Sequence, residues 1–214
     1  MFIAIEGPDG CGKDTQVELL ATHLQKYSRV THTHSFPRYS GPVGACIVNF
    51  LENRDLTDPK IALEFQALMT VDRYDCASTI EDQLDEDATV IVSRWWPSGF
   101  VYGVASGLDP QWLLNTQYSL PRADVNILLT APWELRAARI AARANKPRDA
   151  YEESAFQQKV VQGYSELWAR MQEIVVRHSW CNDAEHATGR WLTIDAAKEP
   201  SIVADAIWKG CFRA

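Results

Sequence analysis

Lys13 stands in the run Gly7-Pro8-Asp9-Gly10-Cys11-Gly12-Lys13-Asp14-Thr15, in which Gly7, Gly10 and Gly12 are spaced as in a phosphate-binding loop. Glycines at that spacing let the backbone curl until its N–H groups converge on phosphate oxygens, and a lysine at the end of the curl reaches the terminal phosphates. These nine residues are the candidate set for a nucleoside polyphosphate. The pattern G-x-x-x-x-G-K-[ST] asks for a magnesium-facing hydroxyl after the lysine; Asp14 stands there instead, with Thr15 behind it. Two further cations follow predicted strands. Arg38 lies in Phe36-Pro37-Arg38-Tyr39, and Arg94 in Ser93-Arg94-Trp95-Trp96-Pro97-Ser98. Arginine forks pair with phosphate bidentately, so two of them beside a phosphate loop suit a second phosphate. The segment Arg143–Tyr151 is rich in arginine, contains Pro147 and joins two predicted helices. It reads either as a mobile lid or as a solvated basic turn.

Positioning these groups requires an alternation of strands and helices. Phe2–Ile5 is an apolar run suited to a buried parallel strand, and further strands are predicted at Val30–Ser35, Val90–Val92, Val125–Leu129 and Trp191–Ile194. Helices are predicted at Asp14–Tyr27, Val43–Asn53, Pro59–Leu84, Pro110–Gln117, Trp133–Ala144, Glu152–Arg177 and Ser201–Lys209. In the first of these, Val17, Leu20, Ala21 and Leu24 make the apolar stripe of an amphipathic helix. Strands separated by helices favour a parallel sheet with right-handed crossovers, which places the phosphate loop and both arginines at the carboxyl ends of strands, where ligands bind.

A chain of 214 residues suits one α/β domain, 1–214. Its formal charge of −7 argues against a general nucleic-acid surface and for positive charge focused in a site. Cys11, Cys46, Cys76, Cys181 and Cys211 contain no C-x-x-C pair, which points to reduced thiols in the cytoplasm. No apolar stretch approaches a membrane span.

Taken in order, the motifs resemble those of the thymidylate kinases. Ile5-Glu6-Gly7-Pro8-Asp9-Gly10-Cys11-Gly12-Lys13 is similar to the family's I-E-G-x-D-G-x-G-K, and Phe36-Pro37-Arg38 to its F-P-R. Leu68-Met69-Thr70-Val71-Asp72-Arg73 resembles L-F-x-x-D-R, and Ser93-Arg94-Trp95 with Ser98 and Tyr102 resembles D-R-Y-x-x-S-x-x-x-Y. Arg148-Asp149-Ala150-Tyr151-Glu152 resembles the lid, here about 143–153, and Trp191-Leu192-Thr193-Ile194-Asp195-Ala196 the closing W-x-x-I-D-A. The resemblance implies a three-layer P-loop NTPase fold, with a five-stranded parallel sheet flanked by helices and an arginine-rich lid. It implies ATP and Mg2+ as cofactors, dTMP as acceptor, dTDP and ADP as products, and a homodimer. By the same resemblance Arg38 and Arg94 hold the acceptor phosphate near Tyr39, Arg73 reaches O4 of thymine, and Tyr102 packs on the deoxyribose. Phe36, Met69 and Ser98 complete the substrate set. Asp9 lies between the magnesium and the acceptor, and Asp14 is the second metal candidate. Arg143 and Arg148, with Lys159, are the transition-state cations; Arg143 is also a candidate to stack on adenine.

Five positions depart from the pattern. Asp14 and Ser93 stand where the family carries a hydroxyl and an aspartate, which suggests that acid and hydroxyl have exchanged places around one ion. Met69 replaces the phenylalanine that stacks on thymine, Gly99 replaces a polar side chain of some members, and Glu153 replaces a lid arginine of others. A kinase for another or a modified deoxynucleoside monophosphate, and a non-catalytic nucleotide-binding protein, are the alternatives. Asn145-Lys146-Pro147-Arg148-Asp149 misses the N-K-x-D of GTP switches by one place.

Overall fold

A computed structural model describes residues 1–56, 58–142, 150–178 and 189–212. Five parallel strands form one sheet in the order β2-β3-β1-β4-β5. They are β1 (Phe2–Glu6), β2 (Thr31–Ser35), β3 (Thr89–Ser93), β4 (Val125–Thr130) and β5 (Arg190–Asp195). The central strands are buried on both faces, as continuous apolar runs in a parallel sheet must be. Phe2, Ala4, Val90 and Val92 enter one core, whereas Ile3, Ile5 and Ile91 enter the other. The edge strand β2 reads Thr-His-Thr-His-Ser and is only half-buried.

Helices α1 (Lys13–Gln25) and α8 (Pro200–Phe212) pack together on one face. On the other lie α3 (Pro59–Asp85), α4 (Trp96–Ala105) and α7 (Ser154–His178), with α2 (Gly44–Asn53) against α3 and α5 (Pro110–Thr116) against α4. Helix α6 (Trp133–Ala141) follows β4, and a 3-10 turn (Ala150–Glu152) precedes α7. The three layers and the five-stranded parallel sheet are those the motifs imply. The basic residues 143–149, with Arg143 and Arg148, lie outside the described residues, as does Cys181.

Two helices start where an aspartate precedes a proline. Asp58 caps α3 by accepting from the Lys60 N–H at 2.9 Å, and Asp109 caps α5 through Trp112 at 2.7 Å. Proline fits the first helical turn because its missing N–H has no partner there anyway. Helix α4 was not expected, because Pro97, Gly99 and Gly103 look like breakers. Pro97 falls in the first turn, and both glycines are sites of close packing: a Cβ on Gly103 would meet Leu113 Cδ2 at 2.5 Å.

Candidate active site

Strand β1 lies between β3 and β4, where successive connections leave in opposite directions, and such a switch point opens a crevice at the carboxyl ends of the strands. The glycine loop fills it. Gly10 has φ +82°, and a Cβ there would stand 2.6 Å from the Arg136 carbonyl oxygen, so only glycine lets the loop lie against α6. Lys13 opens α1 and turns its ammonium back across the loop, donating to the carbonyls of Gly7 at 3.0 Å and Pro8 at 2.9 Å. Burial, reinforced by repulsion from Arg94, pushes this ammonium down to about 8.

Two residues absent from the sequence reading clamp the loop tip. Arg136 donates through Nη1 to the Asp9 carbonyl at 3.1 Å and to Gln157 Oε1 at 2.8 Å. Gln157 Oε1 also accepts from the Asp9 N–H at 3.1 Å, while its Nε2 donates to Asp9 Oδ2 at 2.8 Å and to the Tyr151 carbonyl at 2.7 Å. A single buried amide thus joins the loop tip to the turn that precedes α7. The available signal was position: Gln157 shares the buried stripe of Val160 and Tyr164, and Arg136 that of Ile140. A polar group on an apolar stripe needs a partner.

Asp9 is the junction of the site. Its carboxylate accepts from Arg94, from Tyr102 Oη at 2.8 Å and from Gln157. Arg94 adopts φ +65°, an uncommon conformation for a residue with a side chain, held by its N–H donating to the Ile5 carbonyl at 3.0 Å. Its guanidinium lies 5.2 Å from the Tyr102 ring centroid. Burial alone would lower the Arg94 pKa; Tyr102 and Asp9 outweigh it and raise it well above the ordinary value. Burial holds the Tyr102 hydroxyl protonated, so it remains a donor.

Asp14 is exposed in the first turn of α1. Ser93 Oγ donates to its Oδ1 at 2.8 Å, and Ser35 Oγ lies 3.5 Å from the same atom. The two departures from the family pattern are therefore in contact. One carboxylate and two hydroxyls at the mouth of a phosphate loop form a hard-oxygen set that fits magnesium. Among the described residues no three His, Cys, Asp or Glu gather to hold a metal, so remaining ligands would come from phosphates and water.

On the far side of Arg94 a cleft is lined by Met69, Arg73, Ser98, Gly99, Tyr102 and Tyr151. Arg73 is 1% exposed, and burial pushes its guanidinium down to about 10, still charged at neutral pH. Ser98 forms part of the floor, its hydroxyl donating to the buried Glu6 carboxylate. Phe36 is buried against Trp95, ring centroids 5.0 Å apart, and touches only the phosphate-loop side of the site. Tyr39 stands exposed at the cleft mouth. Arg38 lines neither cavity. It donates through Nε to Asp72 Oδ1 at 3.0 Å and through Nη2 to Asp75 Oδ2 at 2.6 Å, bracing its turn against α3. Lys159 is exposed on α7. Beside the loop a second cavity, about 310 Å³, is walled by Gly10, Gly12, Thr15, Gln16, Arg139 and Lys198.

A phosphate loop and an arginine-bearing wall that face each other through one aspartate can hold two phosphate chains end to end. That is the working arrangement of a P-loop nucleoside monophosphate kinase, the class to which fold and site assign this enzyme. The family model for thymidylate kinase matches residues 5–179, and the chain belongs to the thymidylate kinase family, whose reaction is the phosphorylation of dTMP. The chain is 32% identical over 174 residues to the Schizosaccharomyces pombe thymidylate kinase, covering 80% of this chain and 79% of that one. To the Mycobacterium tuberculosis thymidylate kinase it is 31% identical over 221 residues, covering 95% of each. A solved thymidylate kinase from Candida albicans shares the fold with a TM-score of 0.68 at 24% identity, covering 97% of this chain and 89% of that one.

Proposed function

We propose that this enzyme transfers the γ-phosphoryl group of ATP to the 5′-phosphate of dTMP. An acceptor phosphate oxygen forms a new bond to the γ-phosphorus, the bond from that phosphorus to the β–γ bridging oxygen breaks, and dTDP and ADP leave. The observation that carries this is the Asp9 carboxylate, which ties the donor loop to Arg94 and Tyr102 on the acceptor wall. Phosphoryl transfer needs little covalent help; it needs positioning and charge neutralisation.

In this reading the loop from Gly7 to Thr15 cradles the ATP phosphates, with Lys13 on the terminal ones. The cavity walled by Gln16, Arg139 and Lys198 takes the adenosine. Arg94 holds the acceptor phosphate, Tyr102 and Asp9 face the deoxyribose, and Arg73 donates to thymine O4 beside Met69. Arg38 is assigned to the acceptor phosphate from its seat on Asp72 and Asp75. Arg143 and Arg148 are assigned to the charge on the transferring group. Asp14, with Ser93, is the residue of choice for Mg2+, and Asp9 the second; bound magnesium supplies charge neutralisation on the donor phosphates. The enzyme works as a cytoplasmic homodimer: Leu63, Val71 and Tyr74 leave one face of α3 exposed, and the described cysteines are free thiols. Met69 in place of a planar ring favours a second acceptor class, pyrimidines altered at the 5-position. The test is product identification with dTMP, ATP and Mg2+. dTDP and ADP should form in equal amounts, and ADP formed without dTDP would exclude phosphoryl transfer to dTMP.

A further inference from the structure

Arg73 carries a positive charge into the floor of the acceptor cleft, where the Glu6 and Asp72 carboxylates act on it through space, yet among the described residues none is hydrogen-bonded to it. Among the described residues its hydrogen bonds both leave from Nη1, to the Met69 carbonyl at 3.1 Å and to Gln117 Oε1 at 3.2 Å; its Nε has no partner. Gln117 follows α5 and is 1% exposed. Its orientation is fixed, because Nε2 donates to the Leu113 carbonyl at 3.1 Å and only the amide oxygen can then face Arg73. Gly99 makes room for this contact. A Cβ at that position would lie 2.5 Å from Gln117 Oε1 and 2.8 Å from Arg73 Nη1. The space left by the absent side chain on α4 is where the glutamine and the arginine meet.

We propose that Gln117 is a specificity-determining positioning residue, a neutral acceptor that fixes the Arg73 guanidinium while leaving its charge for the base; this rests on the assignment of dTMP as acceptor. A carboxylate at the same place would neutralise the arginine and compete with any ligand for it. An apolar side chain would leave Nη1 with the Met69 carbonyl alone and the guanidinium without its second anchor. A neutral amide does neither. The recognised feature is a pyrimidine 4-carbonyl, which accepts from a guanidinium; the 4-amino group of cytosine only donates and meets an arginine that cannot accept. Arginine fixed in one direction discriminates between the two more sharply than a mobile one, since the wrong base then leaves a buried donor unpaired.

The experiment compares wild type with Gln117→Met and Gln117→Glu in steady-state assays with dTMP, dUMP and dCMP at saturating ATP, alongside thermal melting. Gln117→Met should raise the KM for dTMP about tenfold with kcat within about threefold, and should narrow the dTMP-to-dCMP ratio of kcat/KM about tenfold. Gln117→Glu keeps the size and the acceptor but loses the Nε2 donor to the Leu113 carbonyl, so a purely structural role predicts earlier melting with the dTMP-to-dCMP ratio unchanged. The neutral-acceptor role predicts that it narrows the same ratio about as much as methionine does. The KM for ATP should stay unchanged in both. If both variants melt near wild type and the dTMP-to-dCMP ratio stays within about twofold, Gln117 has no such role. If one variant melts early, the other decides. A wild-type enzyme with no preference for dTMP would instead strike the acceptor assignment itself.

Discussion

The buried ammonium of Lys13 lets the phosphate loop be tested by pH alone. Burial, with Arg94 adding repulsion, holds this group down to about 8 from its ordinary 10.5. The phosphates of ATP bring several negative charges beside it and raise the value again on binding. Between about 8 and that raised value, the free protein has lost a proton that the complex keeps. ATP binding therefore takes up a proton in this window, and affinity weakens as pH rises, by up to about tenfold per unit. At pH 8.5 a group titrating at about 8 is roughly three-quarters neutral, so the uptake approaches about 0.8 proton. ATP itself contributes nothing there, because a terminal phosphate loses its last proton near about pH 6. The stability of the free protein moves the other way. The unfolded chain keeps this lysine protonated up to 10.5, so the burial penalty is full below about 8 and fades as pH rises towards 10.5. The assay is titration calorimetry of MgATP at pH 7.5, 8.5 and 9.5 in two buffers of different ionisation enthalpy. Uptake that persists in Lys13→Met, or stays below about 0.2 proton at pH 8.5, would refute the placement of this ammonium on the ATP phosphates.

Three further predictions concern the metal, the lid and the base. Asp14→Thr and Ser93→Asp should each raise the magnesium concentration needed for half-maximal turnover, and weaken Mn2+ binding to the ATP complex. The double variant should recover much of the loss, with a coupling of about 1 kcal/mol for an exposed charge-assisted hydrogen bond; additive effects would show that the two positions act independently. Arg148→Ala should lower kcat by at least about 100-fold with nucleotide affinity little changed, whereas a rise confined to the KM for ATP would make it a binding residue only. Met69→Phe should tighten dTMP binding and reduce tolerance of altered 5-substituents, measured as KM across 5-substituted dUMP analogues; unchanged values would remove Met69 from base contact.

Whatever announces itself locally was legible in the chain. The strand, glycine loop and helix from Phe2 to Gln25 form a contiguous unit whose residues act on one another. The Asp-Pro starts of α3 and α5 are signals of the same kind. Helix α4 was hidden because its glycines answer to Leu113, Arg73 and Gln117, which lie on or beside other helices. Arg136, Gln157 and Gln117 were hidden for a related reason. Each is a polar residue with a deciding partner on another element, and the only local signal is the apolar stripe on which Gln157 and Arg136 each lie. Arg38 shows the converse: its motif was plain, but Asp72 and Asp75 that hold it are visible only once α3 lies beside the turn. The exchange of acid and hydroxyl between Asp14 and Ser93 was suggested by two motif departures and gains a contact at 2.8 Å.

The central claim, an ATP-dependent kinase for dTMP with Arg73 reading the base, is met most directly by one measurement. ADP release is coupled to a signal and followed with dTMP, dUMP, dCMP, dGMP and dAMP as acceptors, under identical ATP and Mg2+. The account predicts the highest kcat/KM for dTMP, dUMP next, and dCMP lower by at least about tenfold, the effect of one buried hydrogen-bond mismatch. Equal turnover of dCMP and dTMP would contradict the role given to Arg73, and no turnover with any acceptor would contradict the kinase assignment.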